Sequence, residues 1–220
     1  MAKFDLVIFD WDGTLMDSVA QIVRSIQAAA GVLGVDAPSD EAAKDIIGLG
    51  LPEAMRVLFP SVTEAAREAL RQHYANHFVS HSQGQTTPFA GAEAMLEQLK
   101  AGAVQLAVAT GKSRKGLDRV LADTGWRHYF AATRCADETR SKPDPRMLKE
   151  LLSELNVPVQ RALMVGDTTY DLGMAEALGM ASVGVTYGVH SAERLLKHQP
   201  LTLCDSVPAL AKFLQHTIYQ

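Results

Sequence analysis

The chain has 220 residues, 47% apolar and 21% charged, and its 21 Lys and Arg against 25 Asp and Glu leave a formal net charge of −4. That length allows one or two domains of roughly 100–200 residues. The apolar content excludes a disordered chain, two cysteines exclude a disulfide-stapled miniprotein, and the acidic balance argues against a nucleic-acid partner.

No run reaches the roughly 18 apolar residues of a membrane span. Asp5, Asp10 and Asp12 interrupt the apolar N-terminal segment, which a secretory signal would keep clean. A cytoplasmic protein without a membrane partner is expected. Cys135 and Cys204 belong to no CxxC pattern and read as reduced packing thiols, with a single disulfide as the alternative.

Taken in order, Lys3–Phe9 is short, apolar and rich in branched and aromatic residues, so it reads as a buried strand. Residues 15–87 hold no convincing strand. Val19–Leu33 carries apolar groups at helical spacing, and Asp40–Ile47, Pro52–Phe59 and Thr63–Ser82 also read as helices. Strand and helix alternate from there: helix Gly91–Ala101, strand Val104–Ala109, helix Arg114–Ala122 behind the N-cap Ser113, and a weaker strand near Phe130–Thr133. Helix Pro145–Leu155 opens with proline in its first turn. Strand Ala162–Val165, helix Tyr170–Leu178 stopped by Gly179, and strand Ala181–Val185 complete the series. The pattern implies an α/β fold, a Rossmann-like parallel sheet with helices on both faces. Residues 1–14 and 88–220 form the core, and 15–87 form an inserted all-helical cap.

The chemical signals fall at the C-terminal ends of these strands, where open parallel sheets bind ligands. In Phe9-Asp10-Trp11-Asp12-Gly13-Thr14, two carboxylates two apart face one side of an extended segment that Gly13 then breaks. Thr110-Gly111-Lys112-Ser113 supplies a hydroxyl, a flexible glycine and a helix start, which suit an anion. Lys142, held among turn residues Ser141, Pro143 and Asp144, offers a fixed ammonium. Gly166-Asp167 ends a strand, and Asp171 follows one turn into the next helix. Asp10, Asp12, Asp167 and Asp171 would converge at one sheet edge, where four like charges are costly without a cation. Hard oxygen ligands suit Mg²⁺. A metal, a carboxylate nucleophile and phosphate-holding groups point to phosphoryl transfer.

Asp10-x-Asp12-Gly13-Thr14, Thr110, Lys142-Pro143 and Gly166-Asp167-x₃-Asp171 resemble the four ordered motifs of the haloacid dehalogenase-like hydrolases, over essentially the whole chain. Ile47-Gly48-Leu49-Gly50-Leu51 and Thr186-Tyr187-Gly188 resemble segments of the phosphoglycolate-phosphatase-like branch. Trp11, where Leu or Met is commoner, and Gly111, where Asn is frequent, depart from the pattern without removing a catalytic group. The resemblance implies a Mg²⁺-dependent phosphatase of a small phosphorylated metabolite, monomeric or homodimeric. It makes Asp10 the nucleophile and Asp12 the general acid and base, protonated when substrate binds and so with a raised pKa. Thr110 and Lys142 hold the phosphoryl oxygens, while Trp11, Thr14 and Gly111 line the phosphate site. Asp10, the Asp12 backbone carbonyl and Asp167 ligate Mg²⁺, and Asp171 binds it directly or supports the residues that do. Gly48 and Gly50 let a cap loop approach substrate, or form a flexible inter-helix turn.

Other features carry less. His73, His77 and His81 fall on one helix face and read as an exposed polar face; Arg56 reads as solvated, Asp5 as a strand-edge acid, and His190 as a loop residue without catalytic role. Asp17 or Ser18 caps the first cap helix. A sugar phosphomutase of the same fold is the alternative, although resembling mutases usually carry Val where this chain has Thr14. A dehalogenase would lack the second acid of the first motif. A phospho-acceptor signalling domain would be about half this length with no helical insertion.

Overall fold

The computed structural model describes residues 4–81, 86–102 and 104–219; Lys3 and Ser82, the outer ends of two predicted elements, lie outside these. The chain runs through β1 (Leu6–Phe9) and β2 (Met16–Asp17), then the helices α1 (Val19–Val32), α2 (Asp40–Asp45), α3 (Leu51–Leu58) and α4 (Glu64–His81). It returns through β3 (Thr87–Pro88), α5 (Ala92–Ala101), β4 (Gln105–Thr110), α6 (Arg114–Thr124), β5 (Ala132–Cys135) and α7 (Arg146–Leu155). Then come β6 (Ala162–Gly166), α8 (Thr169–Glu176), β7 (Ala181–Val185), α9 (Ala192–Leu196), β8 (Leu203–Cys204) and α10 (Val207–Tyr219).

The main sheet is six-stranded and parallel, in the order β5-β4-β1-β6-β7-β8. Successive side chains point to opposite faces of a strand. Val7, Phe9, Leu106, Val108, Leu163 and Val165 therefore share one core with α5, α6 and α10, while Leu6, Ile8, Ala107, Ala109 and Met164 meet α7 and α8 on the other side. Burial on both faces explains why these strands read as unbroken apolar runs. A separate apolar cluster, with Ile22, Ile26, Met55, Leu70 and Phe78 at its centre, holds α1–α4 together.

Local chemistry sets several boundaries. Ser39 caps α2 by accepting the Ala42 N–H, and Ser113 caps α6 by accepting that of Gly116. Gly125 stops α6 in the left-handed region at φ 72°. Three expectations need correction. Residues 15–87 do contain strand: Met16–Asp17 pairs antiparallel with Thr87–Pro88 where the chain leaves and re-enters the sheet, a ladder too short to show periodicity. Pro145 sits at the N-cap of α7 rather than inside its first turn. Ser18 occupies the α1 N-cap position, but its hydroxyl donates to Asp12 at 2.6 Å instead of capping. The weak strand near Phe130–Thr133 lies two residues later, because a short 3₁₀ turn over Trp126–Tyr129 places Phe130 in the core. The α10 helix went unpredicted, although Val207, Leu210, Leu214 and Ile218 repeat at helical spacing and are all buried. No helix among the described residues is long and apolar enough to cross a membrane.

Leu214 is fully buried in the core that α10 shares with α5. Leu214→Ala should cost about 2–5 kcal/mol of folding stability, through lost apolar burial and the cavity left behind. Urea unfolding of the two proteins checks it.

Candidate active site

In the sheet, β1 lies between β4 and β6, and the chain moves outward from it first to one side and then to the other. Helices on the two sides diverge there and open a crevice at the carboxyl ends of the strands. Asp10 follows β1, Thr110 ends β4 and Asp167 follows β6, so backbone register alone brings these residues together.

Lys142, from the loop after β5, reaches into the same place. Its ammonium donates to Asp10 Oδ1 at 2.6 Å and to Asp171 Oδ1 at 2.6 Å, with all three side chains buried. Asp171 Oδ2 also accepts the Thr168 hydroxyl at 2.6 Å and the Thr168 N–H at 3.1 Å, completing a capping box at the start of α8. Asp167 accepts the Thr14 hydroxyl at 2.8 Å on Oδ1 and the Val189 N–H at 2.9 Å on Oδ2. Glycines make room for it: a Cβ on Gly13 or Gly188 would lie 2.3 Å from Asp167 Oδ2. Thr110 is fully buried, and its hydroxyl accepts the Lys112 N–H at 3.2 Å.

Oxygens of Asp10, Asp167 and Asp171 lie within 4.8 Å of one another, the one such metal-competent group among the described residues. Three carboxylates thus face a single buried ammonium. Burial raises the Asp10 pKa well above the ordinary carboxylate range, with Lys142 opposing and Asp171 and Asp167 reinforcing the shift. Burial, then Asp171, pushes Asp167 up to about 7. Burial works against the Lys142 charge, but Asp10 and Asp171 outweigh it and raise the pKa. Asp10 Oδ2 is buried without a hydrogen-bond partner. An orphaned carboxylate oxygen, a surplus of buried negative charge and an all-oxygen donor set fit a hard divalent cation.

Asp12 does not join this group, so four converging carboxylates become three. Gly13, at φ 85°, reverses the chain so that its N–H meets the Met16 carbonyl, and this loop turns the Asp12 side chain toward the helical unit. There the carboxylate accepts Lys112 Nζ at 2.9 and 3.0 Å and the Ser18 hydroxyl at 2.6 Å. The Trp11 ring packs away from the crevice, edge-on to Trp126 and Phe130 at 5.9 and 6.2 Å.

The Gly48–Gly50 loop docks directly on the sheet edge. Gly50 N–H donates to Ser141 Oγ at 2.8 Å, the Tyr170 hydroxyl donates to the Asp45 carbonyl at 2.8 Å, and Arg194 pairs with Asp45. A Cβ on Gly111 would lie 2.6 Å from the Gly48 carbonyl oxygen, so that loop and Gly111 touch backbone to backbone. Arg56 is exposed beside Glu53. His77 bonds Ser25 Oγ at 3.0 Å and stacks on His81 at 4.1 Å; no acid completes a metal site there among the described residues. Cys135 and Cys204 are free and buried, which removes the disulfide alternative.

Sequence reasoning missed the residues that hold the acids in place. The Tyr187 hydroxyl donates to the Thr14 carbonyl at 2.9 Å. His190 N–H donates to the Asp167 carbonyl at 3.2 Å, and His190 Nδ1 accepts the Thr169 N–H at 2.9 Å. Lys112 lay inside a motif already noted, but its partner is 100 residues away.

Comparison with known proteins points to one family. Residues 7–185 match the family model described as haloacid dehalogenase-like hydrolase. The chain is 28% identical over 214 residues to a phosphoglycolate phosphatase of Agrobacterium fabrum, covering 95% of this chain and 91% of that protein. It is 30% identical over 215 residues to a 5'-nucleotidase of Pseudomonas aeruginosa, covering 97% and 96%. Among solved structures, a predicted phosphatase from Clostridium acetobutylicum superposes with a TM-score of 0.86 at 26% identity, covering 97% of this chain and 99% of that one.

Two predictions follow from the charge surplus and its packing. With a chelator present, the folded protein binds protons more tightly than the unfolded chain: Asp167 does so from about pH 4 up to about 7, and Asp10, also raised, acts in the same direction. Stability should therefore fall as pH rises through about 7, and Mg²⁺ should raise the melting temperature more at pH 8 than at pH 5; Asp167→Asn should flatten both trends. Gly188→Ala would force a Cβ to within 2.3 Å of Asp167. Calorimetric titration should show metal affinity reduced by about 10–100-fold, the range for disturbing the groups that orient a ligand.

Proposed function

The chain belongs to the haloacid dehalogenase-like hydrolases, and from that premise we propose that it is a magnesium-dependent phosphatase of a small phosphate monoester, acting through an aspartyl phosphate on Asp10. The observation that carries this reading is the Asp10 carboxylate itself. It stands at the strand crossover with one oxygen on Lys142 and the other buried and unpartnered.

Asp10 is the nucleophile. Its carboxylate oxygen bonds to phosphorus as the ester P–O bond breaks. Lys142 favours the ionised form against the pull of burial, and with the Thr110 hydroxyl it holds the phosphoryl oxygens as charge moves onto them. Asp12 protonates the departing alkoxide, then takes a proton from the water that attacks the aspartyl phosphate and restores Asp10. Ser18 and Lys112 set its direction, and Lys112 stabilises the carboxylate needed in the second step. Asp10, Asp167 and the Asp12 backbone carbonyl would hold Mg²⁺. Asp171, both oxygens already engaged, aims Lys142 and adds negative charge beside the ion. The metal supplies positive charge that lets a dianionic phosphate approach an anionic nucleophile.

Residues 15–87 act as the cap over this site. Gly48, Gly50 and Gly111 bring cap and core backbones together above it, excluding bulk water from the aspartyl phosphate. Trp11 and Thr14 serve the phosphate site as scaffold: the Trp11 ring anchors the loop and the Thr14 hydroxyl holds Asp167.

Asp10→Asn keeps the shape of the side chain and removes the nucleophile. Phosphate release from a panel of esters with Mg²⁺ should drop at least about 1000-fold in this variant, with the melting transition still cooperative. Substantial turnover by Asp10→Asn would sink the mechanism, as would wild-type turnover undiminished by a chelator.

A further inference from the structure

Between the helical unit and the sheet edge lies a cavity of about 770 Å³. Asp12, Gly111 and Lys112 form the end next to the reacting carboxylate, and the walls are largely apolar, with Ile22, Ile26 and Leu51 among them. Two hydrogen-bond donors in this lining lack acceptors. Arg119 Nε is buried without a partner, and the Tyr74 hydroxyl makes no hydrogen bond among the described residues. Arg119 is not a loose surface arginine: its guanidinium lies 5.6 Å from the centre of the Phe78 ring, and Lys112 Nζ lies 4.9 Å from the same ring.

We propose that this cavity receives the leaving group of the substrate, and that the group is a ring-sized, mostly apolar body with an anionic or strongly accepting substituent read by Arg119 and Tyr74. The inference rests on the phosphatase reading above and adds the substrate class. Size and lining both argue for it. Beyond the ester oxygen a two-carbon acid has four heavy atoms, and on the scale of liquid water it fills on the order of 120 Å³ at roughly 30 Å³ each. Most of the cavity would then hold water against isoleucine and leucine. A free sugar would bring several hydroxyls against Ile22, Ile26 and Leu51, which cannot bond them, and buried polar groups without partners are costly. An aromatic or heteroaromatic ring removes that apolar surface from water. Its acceptor satisfies the buried Arg119 Nε–H, a donor that otherwise stays unpaired, and takes the phenol's hydrogen bond in place of water. Arg119 and Tyr74 are thus specificity residues and take no part in bond making.

Four phosphate compounds test the idea with the Mg²⁺-loaded enzyme: the mixed anhydride acetyl phosphate and the three esters phosphoglycolate, benzyl phosphate and 4-carboxybenzyl phosphate. Expected for the wild type is a kcat/KM at least about tenfold higher for benzyl phosphate than for phosphoglycolate, and higher again by about tenfold for the carboxybenzyl ester. Arg119→Met should erase the advantage of carboxybenzyl over benzyl, chiefly through KM, and Tyr74→Phe should reduce it. Acetyl phosphate separates the two claims. If it is hydrolysed but phosphoglycolate matches or exceeds the benzyl esters, the inference fails and the phosphatase reading stands. If the ring is preferred but Arg119→Met leaves the carboxyl advantage intact, the reader role is overturned. If none of the four is hydrolysed, the phosphatase reading fails and takes the inference with it.

Discussion

Three carboxylates buried around one ammonium are the constraint on which the rest of this molecule depends. Asp10, Asp167 and Asp171 are all buried, and among the described residues Lys142 is the one cation paired with them. Burial makes each charge expensive and each pairing strong, so the cluster stays charged only if something positive joins it. The same imbalance that would destabilise an ordinary core fits this one to a divalent cation. Structure and chemistry share one cause here, the low polarizability of the sheet edge.

Holding such a cluster demands more of the fold than supplying the acids. Asp167 is wedged where Gly13 and Gly188 leave no room for a Cβ, and its oxygens are taken by Thr14 and the Val189 amide. The loop that provides that amide is fixed in turn by Tyr187 on the Thr14 carbonyl and by His190 on Thr169. Asp171 is locked by its own capping box before it meets Lys142. These supports come from segments far apart in the chain, and each orients a carboxylate without touching the crevice centre. Preorganisation of this kind is what lets a charged site act without first rearranging.

A second constraint governs the approach of the helical unit. It touches the core through backbone, Gly48 against Gly111, through the polar contacts of Asp45 and Gly50, and through Val189 packed on its apolar cluster. Such an interface fixes position without fusing two cores. Between the docking points it leaves the cavity whose lining includes Arg119 and Tyr74.

The strands and most helices were legible because burial on two faces, a cap such as Ser113, and stops such as Gly179 act over a few residues. The order of the chemical motifs, each at the end of a strand, was legible for the same reason. The two-residue β2–β3 ladder was not, since pairing across 70 residues leaves no local period. Nor was the fate of Asp12: spacing put it beside Asp10, but the Gly13 reversal gave it to Lys112 and Ser18. By itself the sequence determined which residues could do chemistry and which segments would carry them, because propensity, capping and apolar runs are short-range. Only the tertiary structure decided which charges share one buried volume and which donors are left without acceptors, because Coulomb energy and desolvation depend on distance through space and on the water excluded, and neither is written in local order along the chain.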